Sequence, residues 1–353
     1  MKHITTIGID LAKEVFAVCA MDNTGAVIYN KLLKRDAFVN WGLQLPAGSR
    51  VVMEACGSSH HWGRWFAAHG HTAQLIAAEF VQPFRKSLAA KNDKNDAEAI
   101  AIASRQATMR YVSVKSIAQQ EALVWHRLRE GYKEERTAHL NRIRGLLGEF
   151  GIWPSKSADK LIRSLPKLST DINTPVGVRS AIEQTLQYLK ELHAQLAQCD
   201  QQIAQHLKTQ PDAKRLTEMV GIGSLTASAI SSTVVDAKHY KNGRQFAAWL
   251  GLVPRQMSSG GKTKLGRTSR RGDAYLRSLL VQGAKSTLQV ALRQTPDKAN
   301  RLQIWIAQMY VRVGYHKTLV AIANKHARTI WAILARNESY DADAWQRMSV
   351  SAT

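Results

Sequence analysis

The strand-like run Ile4-Thr5-Thr6-Ile7-Gly8-Ile9-Asp10 ends on a carboxylate, and so does the run Val51-Val52-Met53-Glu54. Side chains alternate faces along a strand, so an acid at its last residue sits at the sheet's edge rather than in the core. Two such strands side by side put two carboxylates at one edge. Asp93 and Asp96 open a helical stretch three residues apart, a spacing that sets Cβ atoms about 5 to 6 Å apart on one helix face. Taken alone, that pair is better read as a charged first helical turn, which favours Asp. With Asp10 and Glu54 added, the four acids become a candidate metal tetrad. Crowded carboxylates raise one another's pKa unless cations neutralise them. Two Mg2+ ions, typically ~3.5 to 4 Å apart, would do so while clamping the attacking and leaving oxygens of a phosphoryl transfer.

Charge names the partner. The 353 residues include 49 Lys and Arg against 27 Asp and Glu, a formal charge of +22, and the pI is about 10.1. Such an excess favours a polyanion, with nucleic acid the default. It is uneven: between residues 255 and 280 seven cations, Arg255, Lys262, Lys264, Arg267, Arg270, Arg271 and Arg277, face Asp273 alone. The three cysteines, Cys19, Cys56 and Cys199, form no CxxC pair, which speaks against a disulfide framework and for a reducing compartment. No apolar h-region or long apolar run is present, so the expected location is cytoplasmic, without a membrane partner.

Residues 4 to 10, 15 to 21 and 26 to 33 read as strands, the last two joined by the turn-forming Asp22-Asn23-Thr24-Gly25. A helix over 36 to 45, a strand over 50 to 54, a helix near 60 to 69, a strand over 71 to 77 and short helices from 79 to 106 follow. Three meandering strands and then alternating strand and helix is the order of an RNase H-like α/β domain. From 116 to 210 strand signals vanish. Leu189, Leu192, Leu196, Cys199, Ile203 and Leu207 form a heptad-like stripe, and Leu128, Leu140, Ile143 and Leu147 a rougher one. Two long helices joined by a polar loop containing Pro166 and Pro175 are predicted, equally a spacer or a dimerisation arm. Residues 211 to 340 read as mainly helical. The fold class is therefore α/β plus all-α: an RNase H/RuvC-like domain over 1–115, a coiled-coil middle over 116–210, a helical region over 211–340 and a tail over 341–353.

In the third region, Gly221-Ile222-Gly223 reads as a hairpin between two helices, its glycines permitting left-handed dihedrals and exposing N–H groups to a phosphate. Helix-hairpin-helix units hold nucleic-acid backbone this way without reading bases; an ordinary tight turn fits as well. Ser258 and Ser259 lie in the Gly-rich segment Met257-Ser258-Ser259-Gly260-Gly261-Lys262. A loop serine is ordinarily only that, but cations around it would support an alkoxide and the pentavalent phosphate its attack creates. Cys56, His60, His61, His69 and His71 fit no zinc spacing. Trp305, Tyr310 and Trp331 read as helix core, whereas Trp62 and Trp65 fit packing or base stacking.

Ile7 to Lys13, Glu54-Ala55-Cys56-Gly57, Lys91 to Ala97, Val220-Gly221-Ile222-Gly223 and Gly251-Leu252-Val253-Pro254 through Gly261 occur in an order that resembles the DEDD transposases of the insertion-sequence family numbered one hundred and ten, which includes the Piv-like DNA invertases. The resemblance covers nearly the whole chain and implies a RuvC-like domain joined through a coiled coil to a transposase domain. It implies a structured non-coding bridge RNA that pairs with donor and target DNA, and assembly as a homodimer or homotetramer in which the acids of one subunit meet the serine of another. By it, Asp10, Glu54, Asp93 and Asp96 bind Mg2+, and Ser259, with Ser258 its nearest rival, forms a phosphoserine link to DNA. Val220 departs from the Pro that many relatives carry. Two alternatives stay open: a RuvC-type endonuclease hydrolysing DNA junctions with metal-activated water, and a non-catalytic basic nucleic-acid-binding protein.

Overall fold

Alternating apolar residues at the start of the chain build a meander of β1 (Thr6–Asp10), β2 (Val15–Met21) and β3 (Val27–Lys34). The turn before β3 closes on Asp22, whose Oδ1 accepts from the backbone N–H groups of Thr24 and Ala26, each at 2.9 Å. The computed structural model describes residues 4–85, 92–258, 260–295 and 297–341. The chain divides into two compact units, residues 1–117 and 118–353.

In the first unit, α1 (Arg35–Leu43), β4 (Arg50–Glu54), α2 (Ser59–Ala68), β5 (Thr72–Ile76), α3 (Ala78–Val81), a 3-10 turn over Gln82–Phe84, α4 (Asp93–Ser104) and β6 (Tyr111–Val112) follow. The sheet order is β3-β2-β1-β4-β5-β6. β1 pairs antiparallel with β2 and parallel with β4, and β5 continues the parallel set beyond β4. One face buries Ile7, Ile9, Val51 and Met53 with Phe16, Phe38, Trp62 and Phe66. Trp62 is thus core, stacked edge-on against Phe16 and Phe38. The other face carries α4. β6 was not expected; two residues are too few to show alternation.

α4 lies on β1 because Gly8 leaves room. A Cβ there would stand 2.2 Å from the Ala97 carbonyl oxygen and 2.8 Å from the Ala101 Cβ. Small residues on both sides, Gly8 on the strand and Ala97 and Ala101 one helical turn apart, let backbone approach backbone. The helix start is fixed twice: the Asn92 side chain caps it by accepting from Lys94 N–H at 3.0 Å, and Asn30 Nδ2 on β3 donates to the Lys94 carbonyl at 2.9 Å.

The second unit opens with α5 (Ile117–Gly148), α6 (Ala158–Thr170) and α7 (Val176–Thr209). α5 and α7 run antiparallel: Arg129 pairs with Asp200, Arg136 with His193 and His139 with Thr185. Ile182, Leu189, Leu192, Cys199 and Ile203 are buried along α7. The connection differs from the polar loop expected. Pro166 sits inside α6, and Leu161 and Leu165 are buried with Leu140, Leu147 and Ile182. Burial of that apolar stripe outweighs the one hydrogen bond a proline removes.

α8 (Pro211–Leu216), α9 (Ser224–Thr233), a 3-10 turn over Ala237–His239, α10 (Gly243–Trp249), β7 (Pro254–Gln256), β8 (Leu265–Thr268), α11 (Ala274–Arg293), α12 (Arg301–Val313) and α13 (Tyr315–Arg336) complete the unit. One core, including Leu216, Ile230, Phe246, Leu280, Ile306 and Ile330, unites the helices. Trp331 packs against it and donates its Nε1–H to the Ala237 and Tyr240 carbonyls. The β7–β8 hairpin is a second departure from the expected helical region. Its short strands are mostly exposed, so no apolar alternation announced them.

Candidate active site

Asp10 and Glu54 are the last residues of adjacent parallel strands, since Ile9 is in register with Met53. Asp93 and Asp96 occupy the first turn of α4, which the Gly8 contact holds against β1. Strand ends and helix start therefore bring all four acids to one corner of the sheet. Asp96 is buried and Asp93 exposed, while Asp10 and Glu54 lie between. The Asp10 carboxyl is pushed up from its ordinary 3.8 to about 6, first by burial and then by the charges of Asp96, Asp93 and Glu54, with Arg85 opposing. Three acids acting on a fourth is the electrostatic signature of crowded carboxylates.

Arg85 was not anticipated. It caps the 3-10 turn of Gln82–Phe84, a turn held by Phe84 against Val52, Ile76 and Ile100. Its Nη2 donates to Glu54 Oε2 at 3.2 Å, and its Nε lies 3.1 Å from Asp96 Oδ1. That Nε is buried and lacks the alignment of a hydrogen bond. Among the described residues no three His, Cys, Asp or Glu side chains form a ready-made metal cage. The donor set nevertheless suits a hard divalent cation: it is all carboxylate oxygen, its members crowd one another, and a positive group already spans two of them.

In the second unit, the loop between β7 and β8 carries the serine segment. Ser258 is exposed, and its Oγ accepts from Lys264 N–H at 3.3 Å. Ser259 lies outside the described residues, as does Lys91. Gly260 and Gly261 take left-handed φ values of 55° and 77° and turn the chain back. Arg255, Lys262, Lys264, Arg267, Arg270 and Arg271 are exposed around this hairpin. Arg277 is not deployed in the same way: its Nη1 donates to the Leu250 and Arg271 carbonyls at 3.1 and 2.9 Å. Below the hairpin two chain segments cross at glycines. A Cβ on Gly272 would lie 1.9 Å from the Trp249 carbonyl oxygen and one on Gly251 2.4 Å from that of Arg271.

The Gly221 and Gly223 pair divides its work, against the expectation of two left-handed residues. Gly221 has φ 86° and packs on α11, where a Cβ would meet the Gly283 carbonyl oxygen at 2.5 Å. Gly223 is extended, caps α9 and has open space where a side chain would stand. Elsewhere in the unit, His126 Nε2 and His206 Nδ1 contact Ser228 Oγ at 3.1 and 3.2 Å, and His126 Nδ1 meets the Tyr275 hydroxyl at 3.0 Å. No sequence spacing links these four residues. Of the residues weighed for zinc, His60 contacts Lys115 and His69 the Trp65 carbonyl.

Comparison with known proteins matches the sequence to one family. A DEDD-type IS110 model described as a transposase matches residues 7–152, and the model of the transposase IS116/IS110/IS902 family matches residues 213–299. The chain is 40% identical to a probable family 20 transposase of Pseudomonas aeruginosa over 96% of its own length and 99% of that protein's. It is 37% identical to the transposase for insertion sequence element IS1111A of Coxiella burnetii, covering 98% and 93% of the two chains. A pilin gene-inverting protein of Moraxella lacunata is 21% identical over 96% of this chain. Among the described residues no helix is long and apolar enough to cross a membrane. The acids, the matched segments and the full-length relatives give one conclusion: the chain belongs to the IS110 family of transposases, enzymes that recombine DNA.

Proposed function

We propose that this transposase cuts and rejoins donor and target DNA through a phosphoserine, with Asp10, Glu54, Asp93 and Asp96 as a Mg2+-dependent acid site in a RuvC-like domain. The convergence of those four carboxylates on one sheet corner carries the reading. Mg2+ held there would neutralise the acids and the phosphate and polarise the scissile bond. Ser259, or its neighbour Ser258, supplies the nucleophile from the hairpin loop. Its Oγ–P bond forms as the P–O bond to the departing strand breaks; the serine loses a proton and the departing oxygen gains one. The ester conserves bond energy, so a hydroxyl of the incoming strand can reverse the step without ATP. Arg255, Lys262, Lys264, Arg267, Arg270 and Arg271 offer positive charge to the pentavalent phosphate and flanking backbone.

Cations that address phosphate carry no base information, so we assign sequence choice to a structured bridge RNA pairing with both DNAs. Gly223 at the start of α9 offers a helix-hairpin-helix type of backbone contact. The antiparallel α5 and α7 serve as a coiled-coil arm for a homodimer or homotetramer. The test is recombination of supercoiled donor and target with the guide RNA. Ser259→Ala and Ser258→Ala are scored for recombinant product and for a protease-sensitive protein-DNA adduct. We expect one serine variant to abolish both. Retained strand cleavage in the double variant would favour the hydrolytic RuvC-type reading, and full activity of Asp10→Ala would remove the acid site from the chemistry.

A further inference from the structure

We infer that Arg85 is a built-in counter-cation of the acid site, one that competes with divalent metal for Glu54 and Asp96 and withdraws when metal binds. The inference rests on the proposed metal site and goes beyond it. Arg85 approaches two of the four acids from a turn anchored in the core, at 3.2 Å to Glu54 and 3.1 Å to Asp96. It thereby occupies oxygens that a cation coordinating the tetrad requires. Its grip is incomplete: Nε is buried beside Asp96 without hydrogen-bond alignment, and the side chain keeps 33% of its exposure. A guanidinium cannot enter a coordination shell, and a carboxylate oxygen bound closely to a metal ion would leave its positive charge unfavourably near that ion. Without metal, Arg85 offsets part of the repulsion among the acids. With metal it is released and can meet an oxygen of the scissile phosphate.

The experiment measures Mn2+ binding to the full chain by isothermal titration, together with melting in EDTA and in excess Mn2+. Arg85→Gln is expected to bind Mn2+ about tenfold tighter, ~1.4 kcal/mol, to melt lower than wild type in EDTA, and to gain more from Mn2+ than wild type does. Arg85→Lys keeps a charge but cannot span two carboxylates, and is expected to fall between; it keeps the question open to measurement should the glutamine variant not fold. Asp10→Asn should abolish the binding in either background. Equal or weaker Mn2+ binding by both Arg85 variants, with wild-type binding intact, overturns the counter-cation and leaves the metal site standing. No binding by wild type or by either variant overturns the metal reading itself.

Discussion

At the scale of single residues, the absence of a side chain does as much for the acid site as the acids do. Gly8 admits α4 to within backbone contact of β1, and that close approach brings the charge of Asp96 to bear on Asp10. Gly8→Ala forces a methyl against the Ala97 carbonyl. Overpacking of this kind costs ~1 to 3 kcal/mol, and urea denaturation should register it. On the proposed metal site, Mn2+ affinity should fall alongside, because α4 carries two of the four acids; a variant as stable as wild type would show that the sheet yields instead. Gly221→Ala combines a left-handed residue, ~1 to 2 kcal/mol, with a clash against the Gly283 carbonyl, and is expected to destabilise the second unit more than Gly223→Ala, which meets open space.

At the scale of elements, what could be read from the sequence was whatever depends on local pattern. β1 to β5 announced themselves by alternation and by the Asp22 turn, and the convergence of the four acids was legible because it needs only the ends of those elements. Pro166 inside α6 and the β7–β8 hairpin were not, since one is decided by packing against α5 and α7 and the other has no buried face. Arg85 could not be foreseen at all: nothing around Pro83-Phe84-Arg85 says that its side chain reaches Glu54 and Asp96. The same holds for the polar junction of α5, α7, α9 and α11 at Ser228. There His126 is pushed down from 6.5 to about 4, by burial first and then by His206 and Arg129. A folded pKa below the unfolded one means the unfolded chain binds more protons as pH falls from 6.5 to about 4, so stability is full above that window and is lost through it. At ~1.4 kcal/mol per tenfold change in proton affinity, the loss is roughly 3 kcal/mol. His126→Gln should remove about that much of the pH dependence between about pH 7 and about pH 4.5 in urea melts; an unchanged slope would show that His126 binds its proton equally well in the folded and unfolded chain.

At the scale of the whole molecule, a formal charge of +22 does not say which cations meet nucleic acid. Geometry separates exposed cations from one already committed to the fold. Lys262 and Arg267 are exposed on the β7–β8 hairpin, while Arg277 spends its guanidinium on the Leu250 and Arg271 carbonyls that hold the hairpin's base. Each phosphate neutralised by a cation releases condensed counterions, so log affinity falls with log salt by roughly 0.7 to 0.9 per contact. Lys262→Ala and Arg267→Ala should each flatten that slope by about one contact with little change in melting temperature. Arg277→Ala should do the reverse, lowering the melting temperature because two carbonyls lose their donor, with the slope nearly kept at temperatures where the variant is folded. Fluorescence anisotropy on a labelled duplex across a salt series reads all three. Should Arg277→Ala flatten the slope as much as Lys262→Ala while melting like wild type, its place is on the phosphate surface and the hairpin base is held by other means.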